Sequence, residues 1–207
     1  MELNDLTEKL TDRLKKHPLS PKYVLSQFKL NNEDYRQASE YTDPTYYPFY
    51  YYLGKLIQPK NLIEFGFESG IEAGCFLHGC KTVESYFGFK HKTDIRYWSP
   101  RLAKNNIQHV LQKKINYWHG DIVEPEFLKQ FLVKKWDCGL FVRPETHEVN
   151  RRYLDLLWGQ MSLGGVIAVD FVKFDPNMKS AFEDFCKVVQ RPNTVLQTRY
   201  GIGLIIK

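Results

Sequence analysis

Leucines at positions 3, 6, 10 and 14, with charged and polar residues between them, lay one apolar stripe along a helix and predict a first element over residues 3–14. His17-Pro18 ends it, because proline disfavours the helical region in the residue before it. Ser20 as N-cap and Pro21 at the first helical position predict a second helix over 21–28. After an Asp43-Pro44 turn, the ring-rich run 46–56 predicts a third. From Asn61 the rhythm changes. Short apolar runs predict strands at 62–65, 85–89, 115–118, 138–142 and 166–171, separated by helical patterns at 71–78, 100–112, 124–133 and 148–161. Strands alternating with helices predict a parallel sheet covered on both faces. A helix over 181–189 and two strands, 194–199 and 202–206, joined at Tyr200-Gly201, close the chain. That hairpin sets the last strand antiparallel to the others. The expected fold is α/β and Rossmann-like: a mostly parallel seven-stranded sheet, helices on both faces, and an antiparallel C-terminal strand. Residues 1–44 read as a helical extension and 45–207 as the sheet domain, compact together.

Composition narrows the function. The 207 residues suit one domain, burying about 70% of the surface of the unfolded chain. A net charge of +5 is mild and not gathered in one run, so no specific nucleic-acid partner is expected. The N-terminal segment lacks the apolar core of a signal peptide, and no run of about 18 apolar residues occurs. A cytoplasmic protein without membrane attachment is the expectation. Cys75, Cys80, Cys138 and Cys186 are scattered without metal-ligand spacing and read as buried free thiols. The rings of 46–52 leave two readings open: a lid or stacking surface, or a helix packed on the sheet edge or on a homodimer partner.

The segment NLIEFGFESGIEAG, residues 61–74, is a strand, a glycine turn and a helix start, which points backbone N–H groups at a carboxylate or phosphate. INYWHGDIVEP (115–125) ends a strand in Gly-Asp, and LGGVIAVD (163–170) sets a Gly-Gly pair before the fifth strand. Together with the closing hairpin, these segments resemble the class I S-adenosylmethionine (SAM) methyltransferases over residues 45–207. The resemblance implies SAM as cofactor and a small molecule as substrate. It assigns Glu64, Gly66 and Gly70 to the cofactor turn, with Ser69 beside them. Asp121 would accept from the adenine amino group and Ile122 would offer its backbone N–H. Two positions depart from the family pattern. Glu68 replaces the middle glycine; it either repels a ligand carboxylate, by about 4 kcal/mol at 4 Å and an effective dielectric near 20, or points away, or faces the cofactor's cationic groups. Lys90 replaces the acidic residue that receives the ribose hydroxyls. Lysine accepts no hydrogen bonds, so it holds a phosphate or belongs to a solvated loop. Asp121 has a second reading as the cap of the helix after it.

The resemblance, here to small-molecule members of the group, also offers His147 as general base, and Asp170 at the end of the fifth strand is the second catalytic candidate. Arg143 either clamps an anionic substrate or pairs with Asp170. An arginine and one carboxylate make a poor cation site, so no metal is expected. The competing functions are a non-catalytic scaffold kept for binding or assembly and a nicotinamide oxidoreductase, which lacks two of the three fingerprint glycines.

Overall fold

A computed structural model describes residues 1–16, 45–67, 70–92, Ala103, Ile107 and 115–207. The helix expected at 21–28 lies outside these residues. So does most of the one expected at 100–112, of which Ala103 and Ile107 are helical and buried. The elements in chain order are α1 (Leu3–Lys16), α2 (Tyr46–Ile57), β1 (Asn61–Phe65), α3 (Ile71–Gly79), β2 (Ser85–His91), β3 (Ile115–Gly120), α4 (Pro125–Phe131), β4 (Trp136–Phe141), α5 (His147–Gln160), β5 (Met161–Val169), α6 (Pro176–Val189), β6 (Asn193–Leu196) and β7 (Ile202–Ile206).

The seven strands form one sheet in the order β3-β2-β1-β4-β5-β7-β6. All described pairings are parallel except those of β7, which runs antiparallel to β5 and β6. The direction of winding reverses between β1 and β4. In open α/β sheets, that reversal leaves a crevice outside the carboxyl ends of the strands.

Alternation along the strands sorts side chains between two cores. Leu62, Leu140, Ala168 and Leu204 face α1, α2 and α3, whose Leu6, Leu10, Phe49, Leu53 and Phe76 pack there. Ile63, Phe65, Phe141, Ile167 and Ile205 face α4, α5 and α6, with Phe127, Leu157 and Phe182. With both faces covered, β1 and β4 are apolar nearly throughout, which is why they read as short continuous runs. Glu64 falls on the α2–α3 face and is the exception. The rings of α2 are interior: Tyr46, Tyr47, Phe49, Tyr50 and Tyr52 are at most 4% exposed. They fill the core of this chain, which leaves little of them for a lid or a second copy.

Helices α2 and α3 cross at backbone distance. A Cβ on Gly54 would lie 2.2 Å from the Phe76 carbonyl oxygen, and one on Gly79 would lie 2.0 Å from that of Tyr51. Only glycine fits at either point.

Boundaries shift where turns take over. Helix α6 begins at Pro176 rather than 181, because Asp175 caps it by accepting from the Met178 N–H at 2.8 Å. The Gly164-Gly165 pair lies inside β5 rather than before it. The strand stops at Val169, and Phe171 takes φ 64°, a left-handed conformation that ends the ladder. The four cysteines are buried and free. No helix among the described residues is long and apolar enough to cross a membrane.

Candidate functional site

The β1–α3 turn is held by the strands beside it. The Gly66 and Phe67 amides both donate to the Phe89 carbonyl, at 2.9 and 3.1 Å. Gly66 has φ 87° and Gly70 has φ 72°, a region that side chains disfavour. A Cβ on Gly66 would meet Arg143 Cβ at 2.6 Å; one on Gly70 would meet Ile107 Cδ1 at 2.9 Å. Both glycines are thus required by neighbouring side chains as well as by backbone conformation. Phe67 folds inward, fully buried against Gly88 and Tyr86. Glu68 and Ser69 lie outside the described residues, so the structure assigns them no place.

Three carboxyl groups are buried at this edge. Glu64 is fully enclosed; the Tyr86 hydroxyl donates to its Oε2, while Oε1 has no hydrogen-bond partner among the described residues. Burial, with the Glu72 charge adding to it, pushes the Glu64 carboxyl up to about 8. Glu72, in the first turn of α3, accepts from the Tyr46 hydroxyl at 3.4 Å and lies 4.0 Å from Arg143 Nη2. Asp170 accepts from the Tyr50 hydroxyl at 3.2 Å and from the Phe171 N–H at 2.7 Å. Burial raises its carboxyl to about 7, although the Tyr46 hydroxyl and the Phe171 amide pull the other way. Sequence reading named Glu64 and Asp170 but missed Glu72, Tyr46, Tyr50 and Tyr86. The available signals were a charged residue two positions past Gly70 in an apolar helix start, and tyrosines four apart on one helix face. Arg143 reaches Glu72 and stands over the Phe171 ring, 5.9 Å from its centroid. Its charge also bears on Asp170, whose carboxyl it draws downward.

Lys90 is 1% exposed. Strand β2 runs on to His91, and Lys90 pairs in register with His119 of β3, so the solvated loop is corrected to a buried strand position. Asp121 follows β3. Burial raises its carboxyl, but the Val123 amide and Lys92 outweigh that and hold it below the usual range. The Lys92 ammonium is 3.2 Å away, and the Val123 N–H donates at 3.3 Å. The helix cap is Glu124 rather than Asp121, and its carboxylate reaches back to the Asp121 N–H at 2.6 Å. The Ile122 side chain is buried in the α4–α5 core.

His147 opens α5 behind its cap Thr146 and pairs through Nε2 with Asp184 of α6 at 3.3 Å. This links two outer helices, and His147 shares no partner with Asp170. No group of three or more histidine, cysteine or acidic side chains among the described residues could hold a metal ion.

No protein-family model and no curated protein matches the chain. Solved structures do. A putative caffeoyl-CoA O-methyltransferase from Staphylococcus aureus superposes with a TM-score of 0.68 at 13% identity, over 100% of both chains. The O-methyltransferase from Bacillus cereus, crystallised in complex with S-adenosylhomocysteine (SAH), gives 0.64 at 16% identity, over 100% of both chains. The O-methyltransferase TomG from Streptomyces achromogenes, crystallised with SAM, gives 0.65 at 11% identity, over 100% of this chain and 98% of that one. With its strand order and antiparallel β7, the chain has the Rossmann-like fold of class I SAM-dependent methyltransferases.

Proposed function

We propose that this chain is a SAM-dependent methyltransferase acting on a small molecule. The observation that carries the reading is the carboxyl edge itself: the strand order reverses between β1 and β4, and Gly66, Gly70 and three buried carboxyl groups gather there. Structures of the same fold bear SAM or SAH. The residues present fit such a group in one respect. Glu64 Oε1 is buried without a partner among the described residues, and a cationic ligand at this edge would offset the cost of leaving it so. The turn and the α3 N-terminus would hold the cofactor's carboxylate, Glu64 its cationic end, and Asp121 with the Ile122 amide its base. When bound, SAM would supply an electrophilic methyl group for an acceptor oxygen or nitrogen, leaving SAH.

The chain's own contribution is positioning and one proton. Asp170, its carboxyl raised to about 7, accepts the proton that the acceptor loses, and Tyr50 orients it. His147, turned toward Asp184, takes no part.

A second reading, a scaffold that binds or assembles without transferring methyl groups, is favoured by two observations. Lys90 is buried where a ribose acceptor is wanted, and Asp121 is already engaged by Lys92. Calorimetric titration with SAM and SAH separates the two. Saturable heat with both ligands is expected; no heat at millimolar ligand rejects the enzyme.

A further inference from the structure

Just past Asp170 the chain makes a rim that the proposed chemistry leaves unused. Phe171 is held in the left-handed region, at φ 64°, a costly conformation for a bulky side chain. Its ring stacks on Tyr200 at 4.7 Å with an interplanar angle of 16°. Phe174 stands edge-on to both rings, at 6.3 and 5.3 Å. Guanidinium groups lie over both stacked rings: Arg143 is 5.9 Å from the Phe171 centroid and Arg199 is 5.3 Å from that of Tyr200. The two loops are tied backbone to backbone, with the Lys173 N–H donating to the Tyr200 carbonyl at 2.9 Å and the Val172 N–H to the Gly201 carbonyl at 3.2 Å. Phe174 is nonetheless 70% exposed. Lys173, next to it in the chain, and Arg199, which lies over the Tyr200 ring that Phe174 meets edge-on, are exposed as well. Exposing an aromatic ring costs burial that the fold could otherwise use. A ring of this kind, set at a fixed angle and flanked by cations, matches a flat molecule of opposite charge.

We infer that this rim takes the methyl acceptor, and that the acceptor is a flat aromatic molecule carrying an anionic group. The aromatic part packs on Phe174 against the Phe171–Tyr200 stack, and Arg199 receives the anion. The inference rests on the methyltransferase reading for the word acceptor, but binding at the rim is measurable without it.

The probe is para-hydroxybenzoate, compared with uncharged para-hydroxybenzyl alcohol and non-aromatic cyclohexanecarboxylate, each titrated by ligand-observed NMR with and without SAH. The expected result is binding of para-hydroxybenzoate about tenfold tighter than either comparator, the scale of one ring contact or one charge-assisted hydrogen bond. Phe174→Ala and Arg199→Ala should each remove about that factor while leaving SAH calorimetry unchanged and lowering the melting temperature by no more than about 5 °C, the scale of one lost ring contact. Because both side chains are exposed, the variants fold. No binding of para-hydroxybenzoate, equal binding of all three probes, or indifference to both substitutions overturns the inference. Selective binding of the acid without any SAH heat keeps the rim and rejects the methyltransferase.

Discussion

Replacing Glu64 by glutamine tests the buried carboxyl directly. Folding raises this group from an ordinary 4.5 to about 8, chiefly by burial. The folded chain therefore binds more protons than the unfolded one between those values. The stability this group allows is complete below about 4.5 and falls as pH rises toward the folded value. Within that window each pH unit costs about 1.4 kcal/mol, so going from pH 5 to pH 7 removes about 3 kcal/mol. Glutamine cannot ionise, yet its side-chain oxygen still accepts from Tyr86. For a chain of this size, about 2–4 °C of melting temperature corresponds to 1 kcal/mol. Thermal melts of wild type and Glu64→Gln at pH 5, 6 and 7 should show a wild-type decline steeper by about 5–10 °C over that range. The Asp170 contribution, of the same sign and raised to about 7, is common to both proteins and cancels in the comparison. Parallel melting curves would refute the reasoning, for they would mean that Glu64 is ionised in the folded state or reaches solvent.

Three other substitutions follow from the geometry. His147→Ala removes a half-exposed pair with Asp184, so stability should change by less than about 1 kcal/mol, with SAM affinity and transfer rate unchanged; a hundredfold loss of rate with the fold intact would restore the histidine as base. Gly79→Ala drives a methyl group to within 2.0 Å of the Tyr51 carbonyl and should cost about 3 kcal/mol in urea denaturation. Gly159→Ala, at a helix position with no neighbour inside 4 Å, should instead gain about 1 kcal/mol; equal effects at the two sites would contradict the packing described.

The order of elements was legible because the central strands β1, β2 and β4 are short, largely apolar runs and α1, α5 and α6 are longer amphipathic ones. The antiparallel β7 was legible from Tyr200-Gly201 between two strand-like runs. What failed was local. Gly164-Gly165 looks like a turn by composition, but β5 begins earlier and carries the pair within it. Asp170-Phe171 continues an apolar run, so nothing in the spacing announced that Phe171 would adopt a left-handed conformation. At the site, Glu64 was found through the resemblance, as the acidic strand residue ahead of Gly66 and Gly70. Its companions were not, because Tyr46, Tyr50 and Glu72 reach the same spot from two different helices, and sequence distance hides that convergence. For Lys90, the solvated-loop alternative rested on how rarely lysine is enclosed, a preference that tertiary structure overrides here.

The close approach of Gly54 to Phe76 and of Gly79 to Tyr51 has a mechanical corollary. Two backbones that touch without side chains between them have nothing soft to yield, so α2 and α3 behave as a single block. The segments after β4 and β5 lean on that block, through Arg143 to Glu72 of α3 and through Asp170 to Tyr50 of α2. A ligand arriving at the carboxyl edge would have to displace side chains, because the pair of helices behind them cannot give way.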